Sequence, residues 1–145
     1  MFSRICVVCT GNICRSPMGE ALLRERAGDR LTEVFSAGTG ALEGHPADPT
    51  AVALMAERGI DITPHRGKQA TSGLMAAADL VLALDGSHLD WLHRHLPQLR
   101  GRTFRLLHWR GEADVPDPYR QPRAAFEHAL ALIDQGVDDW LQRIG

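Results

Sequence analysis

The chain has 145 residues, 44% of them hydrophobic, with three cysteines and a formal net charge of −2 at pH 7. That length and apolar content suit one domain over 1–145 whose core folds without covalent staples, and interspersed charges of both signs leave no broad basic face for nucleic acid. Asp79 and Asp85 break up the most apolar stretch, around Leu74 to Leu84, so no run nears the roughly 20 residues a membrane helix needs. The N-terminal apolar stretch is too short for a secretory signal, and all three cysteines crowd between Cys6 and Cys14, too close to staple distant segments. The expectation is a cytoplasmic protein with reduced thiols and no membrane insertion.

Arg4 to Val8 is expected to form a short buried strand. Directly after it comes CTGNICRSP, Cys9 to Pro17, and Pro17 suits the first turn of a helix running through Gly19, Leu22, Leu23 and Arg26. Glu33 to Ala37 alternates weakly as a second strand, and Gly38 to Pro46 reads as a loop. Asp48 caps and Pro49 opens a helix to Arg58, stopped by Gly59. Asp79 to Leu84 is the third strand, and Gly86 to His95 a helix able to turn Leu89, Trp91, Leu92 and Leu96 inward. Thr103 to Leu107 is the fourth strand. A polar loop from His108 to Pro122 leads to a last helix that sets Phe126, Leu130, Ile133, Val137, Trp140, Leu141 and Ile144 near one stripe, read as core packing. Strands alternating with helices predict an α/β fold, a parallel sheet covered on both faces, with ligands beyond the carboxyl ends of the strands, where Cys9 lies.

The loop from Cys9 to Ser16 suits a phosphate. Amides at a helix N-terminus are unpaired and carry partial positive charge, so a glycine-containing loop leading into one can wrap a dianion. Gly11 supplies backbone freedom, Asn12 tolerates left-handed geometry and can brace the loop, and the planar fork of Arg15 can hold two phosphate oxygens. These groups favour a thiolate at Cys9, and Ser16 is placed to donate a hydrogen bond to it. Cysteine, five residues, arginine, serine is the layout expected for phosphate transfer to sulfur, with Arg15 stabilising the equatorial oxygens and no metal or cofactor required. Leaving-group protonation needs an acid. Asp117, in PDPY, sits after the fourth strand at the same sheet end as Cys9, and the ring of Tyr119 can line a pocket there.

With VCTGNICRSP near the N-terminus, SAGTGALEGHPADP in the middle and DPY late, the chain resembles the low-molecular-weight protein tyrosine phosphatases nearly end to end. The resemblance implies a four-stranded parallel sheet flanked by helices, with the phosphate-binding loop after the first strand. It implies Cys9 as nucleophile, Arg15 as clamp, Asp117 as acid and then base, and backbone amides from Thr10 through Gly11, Asn12, Ile13 and Cys14 to Arg15 as the cradle. Ser16 and Asn12 resemble the residues that hold thiolate and loop, and His65 a histidine supporting the loop from behind. Leu42 stands where many eukaryotic members carry an aromatic pocket wall, leaving Tyr119 as the other wall. The GALEG wording is similar to the bacterial branch that acts with tyrosine autokinases controlling capsule or exopolysaccharide synthesis, so the implied partner is a tyrosine-phosphorylated protein of that kind. Lys68 replaces an arginine common after the histidine, which turns a bidentate support into a point contact.

Plainer readings stand beside these. Cys6, on the strand, reads as a small buried hydrophobe. Cys14 has two readings: a reversible disulfide with Cys9, as in relatives, or packing alone. His65 is either loop support or an ordinary turn histidine, and Asp117 has an alternative as a turn residue beside Pro118. His88, His93 and His95 lack paired ligand spacing and read as a solvated helix face. A zinc or iron–sulfur module would lack a fourth thiolate. An arsenate reductase of this fold needs relay cysteines after Cys14, and none occurs. A phosphocysteine carrier has no use for Asp117, and a phosphotyrosine-binding module no need of both Cys9 and Asp117.

Overall fold

Ile5, Cys6, Val7 and Val8 alternate neither in polarity nor in exposure; all four are fully buried. A strand of that kind is covered on both faces, as parallel strands are. The computed structural model, which describes residues 2–144, places it as β1 (Arg4–Cys9) inside a four-stranded parallel sheet of order β2-β1-β3-β4. The other strands are β2 (Glu33–Gly38), β3 (Leu80–Ala83) and β4 (Thr103–Arg105). Met1 and Gly145, the ends of the domain expected over 1–145, lie outside the described residues.

Helices fill the crossovers: α1 (Arg15–Ala27), α2 (Pro49–Glu57), the single turn α3 (Ser72–Met75) and α4 (Gly86–His95), followed by α5 (Arg123–Ile144). The two side-chain sets of β1 and β3 serve different cores. Ile5, Val7, Leu80 and Leu82 pack with Leu22 and Leu23 of α1 and with Phe126, Leu130, Ile133 and Val137 of α5. On the opposite face Cys6, Val8, Val81 and Ala83 pack with Met75 and with Leu92 of α4. From β1 the chain adds β2 on one side, then crosses to build β3 and β4 on the other. The order therefore reverses between β1 and β3, and a crevice opens at their carboxyl ends, beside Cys9 and Asp85.

Expected and observed elements differ mainly at their ends. The first helix begins at Arg15, two residues ahead of Pro17. The third strand starts one residue after Asp79, whose carboxylate is spent on the amides of Ser3 and Arg4 at the strand's base. The fourth strand stops at Arg105 rather than Leu107, because the chain turns there: the Arg105 carbonyl accepts from the His108 amide, and the Leu106 carbonyl accepts from the Trp140 indole. On α4, Leu92 and Leu96 face inward as expected, whereas Leu89 and Trp91 are only half-buried and Trp91 stacks on His95 at 4.5 Å. The turns at Gly28–Arg30 and Pro97–Arg102 and the single turn α3 carry too little periodicity to be read in advance.

Gly38 ends β2 in register with Cys9. A Cβ there would collide with the Thr10 carbonyl oxygen and come within 3.1 Å of Asn12 backbone nitrogen, both rigid main chain. Gly38→Ala is therefore expected to lower stability by roughly 1 to 3 kcal/mol in urea unfolding. Gly73→Ala, where a methyl meets nothing within 4 Å, is expected to stay within about 0.5 kcal/mol of the parent.

Candidate active site

Between the end of β1 and the start of α1 the backbone makes a tight concave loop. Its carbonyls point outward: those of Cys9, Thr10 and Gly11 accept from the amides of Thr39, Gly40 and Leu42, that of Ile13 from Asp48, and that of Asn12 from the His65 ring at 2.6 Å. In a trans peptide the N–H is opposed to the C=O, so anchoring five successive carbonyls turns the amides of residues 10 to 14 the other way, available to an anion. Asn12 makes the bend possible with a left-handed φ of 59°.

The Asn12 side chain is fully buried, and both of its polar atoms find partners. Its Nδ2 donates to Ser16 Oγ at 2.7 Å and to Ser36 Oγ at 2.9 Å, and its Oδ1 accepts from the Lys68 amide at 2.9 Å. Ser36 in turn donates to Glu20. Ser16 Oγ lies 2.8 Å from Cys9 Sγ, so a hydroxyl held by Asn12 reaches the sulfur at the bottom of the loop. Lys68 supports the loop through its backbone N–H while its side chain is exposed, so the expected point contact of its ammonium gives way to a main-chain one.

Arg15 opens α1 and is 2% exposed. Its Nη1 donates to Asp85 Oδ2 at 2.8 Å and to the Val115 carbonyl at 2.7 Å, which orients the fork and leaves its other edge free. Burial pushes the Asp85 carboxyl up, but hydrogen bonds from Ser87 and Arg15 outweigh it and hold it below its usual range. Asp85 is thus an anion that neutralises the buried guanidinium. Asp117 sits across from the pair. Its Oδ2 is 3.8 Å from Arg15 Nη2, while its Oδ1 accepts from the Tyr119 amide at 3.0 Å, so the same residue closes a turn and presents a half-exposed carboxylate to the site.

These groups surround a pocket of about 190 Å³ lined by Cys9, Thr10, Gly11, Ile13, Cys14, Arg15, Gly40, Leu42, Asp117 and Tyr119. Leu42 and Tyr119 are both part of its lining, and Arg120 lies over the Tyr119 ring at 5.2 Å. A wider depression of about 560 Å³ behind the loop, lined by Glu20, His65, Arg66 and Lys68 among others, mixes charges of both signs and contains no nucleophile. The chemistry belongs to the smaller pocket. Cys6 and Cys14 are buried free thiols, and burial pushes both up. Each stays protonated at neutral pH. Among the described residues no group of three or more His, Cys, Asp or Glu gathers as a metal site.

Sequence reasoning missed Asp85, His88, Ser36, Glu20 and Gly40. Asp85 carried a signal, an acid at a strand's carboxyl end that also caps the next helix, and Ser36 another, a lone hydroxyl in an apolar strand. His88 corrects the reading of a solvated helix face: it is 1% exposed, its Nδ1 accepts from the Asp85 amide at 3.1 Å, and its Nε2 lies 2.9 Å from Thr10 Oγ1. As the third residue of α4 it completes a capping box with Asp85, which turns the ring inward.

A sequence model of the family described as low molecular weight phosphotyrosine protein phosphatase matches residues 4–145. The chain is 49% identical to the probable low molecular weight protein-tyrosine-phosphatase EpsP of Ralstonia nicotianae, covering 99% of this chain and 97% of that protein. Among solved structures it is similar to Wzb of Vibrio vulnificus in complex with benzylphosphonate, at 39% identity and TM-score 0.94 over 99% of each chain. It is also similar to the tyrosine phosphatase Wzb of Escherichia coli K30 in complex with sulphate, at 41% identity and TM-score 0.94 over the whole of both chains.

The two histidines at the loop share a pH signature. Burial holds His88 down to about 4 from 6.5, the neighbouring Asp85 only partly opposing it, and burial likewise lowers His65 against the opposing hydrogen bond to the Asn12 carbonyl. Below pH 6.5 the unfolded chain takes up these protons before the folded one does, so the contribution is complete above pH 6.5 and stability is lost as pH falls toward about 4. For His88 the loss is on the order of 2 to 3 kcal/mol. Chemical denaturation at several pH values is expected to show this slope in the parent and a shallower one in His88→Gln.

Proposed function

The chain belongs to the low molecular weight phosphotyrosine protein phosphatase family, and from that premise we propose that Cys9, Arg15 and Asp117 carry the hydrolysis of phosphotyrosine within this one domain. The observation that supports the assignment is the convergence of these three side chains, drawn from the end of β1, the start of α1 and the loop after β4, on one pocket. Cys9 Sγ, as thiolate, attacks phosphorus in line; the P–S bond forms as the P–O bond to the tyrosyl oxygen breaks, and protonated Asp117 gives its proton to that oxygen. The free edge of Arg15 and the loop amides hold the three equatorial oxygens, where charge is spread in the transition state. Water then attacks the phosphocysteine, the Asp117 carboxylate takes its proton, the P–S bond breaks and phosphate leaves with the thiolate restored. Ser16, held by Asn12, steadies the sulfur as leaving group, and His65 fixes the loop from behind through the Asn12 carbonyl.

Leu42 and Tyr119 give the pocket apolar walls suited to an aryl ring, and a phenol leaves more readily than an alkyl alcohol. Both favour phosphotyrosine over phosphoserine. The substrate is a tyrosine-phosphorylated protein, and we infer that it is a bacterial tyrosine autokinase of exopolysaccharide synthesis. The likeness to EpsP and Wzb and the aliphatic Leu42 support this finer reading. A cytoplasmic site of action accords with three free thiols, and no described helix is long and apolar enough to cross a membrane.

The test is hydrolysis of an aryl phosphate at mildly acidic pH in the presence of a chelator. The parent is expected to turn over at a rate the chelator does not change, Cys9→Ser to show no turnover, and Asp117→Asn to fall roughly 100-fold or more with phosphoenzyme formation slowed. Appreciable turnover by folded Cys9→Ser would sink the mechanism. Inactivity of the folded, reduced parent would leave a phosphate-binding or carrier module. Dephosphorylation of an autophosphorylated tyrosine kinase but not of a phosphoserine protein checks the partner.

A further inference from the structure

His88 lies outside the pocket yet touches both halves of its machinery. The Asp85 amide donates to its Nδ1 at 3.1 Å, which places the proton of the neutral ring on Nε2. Nε2 therefore donates to Thr10 Oγ1, 2.9 Å away, and Thr10 is the residue next to the nucleophile. At the other end Asp85 grips Arg15 at 2.8 Å. The ring is 1% exposed, so a polar ring nitrogen that lost its partner on this side would be left buried and unpaired.

We propose that His88 is a positioning residue for phosphoryl transfer, a rigid spacer that sets the distance between the Cys9 side of the loop and the Arg15 clamp. This rests on the roles given above to Cys9 and Arg15. The ring is attached to the loop through Thr10 and to the clamp through Asp85, so loss of either bond loosens one partner relative to the other. Geometry that matters most when five ligands surround phosphorus is felt in the rate rather than in ground-state binding.

The two bonds can be cut separately. His88→Asn keeps an acceptor for the Asp85 amide but falls short of Thr10, His88→Gln reaches Thr10 without serving Asp85, and Thr10→Val removes the hydroxyl from the exposed end. In steady-state hydrolysis of 4-nitrophenyl phosphate, Thr10→Val and His88→Asn are each expected to lower kcat roughly 3- to 10-fold with KM within about twofold. Thr10→Ser is expected to recover most of the parental kcat, and the double variant to be no worse than the poorer single one, since both lose the same bond. Parental kcat in Thr10→Val, additive losses, or a loss carried by KM would overturn the proposal. Should His88→Asn fail to fold, His88→Gln takes its place beside the Thr10 pair, with the same expected loss of kcat at near-parental KM and with parental kcat overturning the proposal. Cys9-dependent turnover with parental kcat in Thr10→Val strikes only the role of His88, whereas turnover independent of Cys9 strikes the catalytic assignment itself.

Discussion

Asn12 is fully buried with a left-handed backbone, and a buried amide that failed to find partners would forfeit about 1 to 3 kcal/mol for each unpaired group. It finds them in three different places: Ser16 in the first turn of α1, Ser36 on β2 and the Lys68 backbone, while its own carbonyl is taken by His65. These bonds hold the loop of Cys9 in its observed conformation, because leaving it would break them. Asparagine suits the position twice over, since it tolerates the left-handed region and carries both donor and acceptor. The hydroxyl that reaches the sulfur is itself one of the partners. Loop shape and sulfur environment thus have a common origin.

The second constraint is charge. A guanidinium 2% exposed must be compensated, and Asp85 does so from the end of β3. Because Asp85 and the Val115 carbonyl share one nitrogen of the fork, the neutralised arginine still presents its remaining donors to the pocket. Asp117, half-exposed on its proline-flanked loop, faces the same cation at longer range. The two carboxylates differ in solvation: Asp85 is 20% exposed and bonded directly to the guanidinium, whereas Asp117 is 52% exposed and makes no direct hydrogen bond to it.

The sheet brings these parts together. In the order β2-β1-β3-β4 the reversal falls between β1 and β3, so the strand ending in Cys9 lies beside the strand leading to Asp85. The two faces of β1 anchor in separate cores, one under α1 and α5 and the other under α4. The loop is consequently held from both sides of the sheet, and residues outside the pocket lining, such as Ser36, Glu20 and His88, become part of its support.

Much of this was legible in the sequence. Short apolar runs marked the strands and helical periodicity the long helices, and α1 and α2 carried clear start signals in Pro17 and in Asp48 with Pro49. Cys9, Gly11, Asn12, Arg15 and Ser16 lie within eight residues, and a loop that short brings them together wherever it goes. Contacts between distant segments had no such guarantee. Which acid pairs with Arg15, and whether His88 faces water or the loop, depend on the order of strands in the sheet and on the rotation of α4 about its axis. The capping box of Asp85 and His88 emerged only with the structure, since it depends on where the ring turns. Local chemistry was therefore readable from residue types and spacing, whereas the Asp85 clamp, the Asn12 hub and the buried His88 were decided only when packing forced each buried polar group to find its partner across the fold.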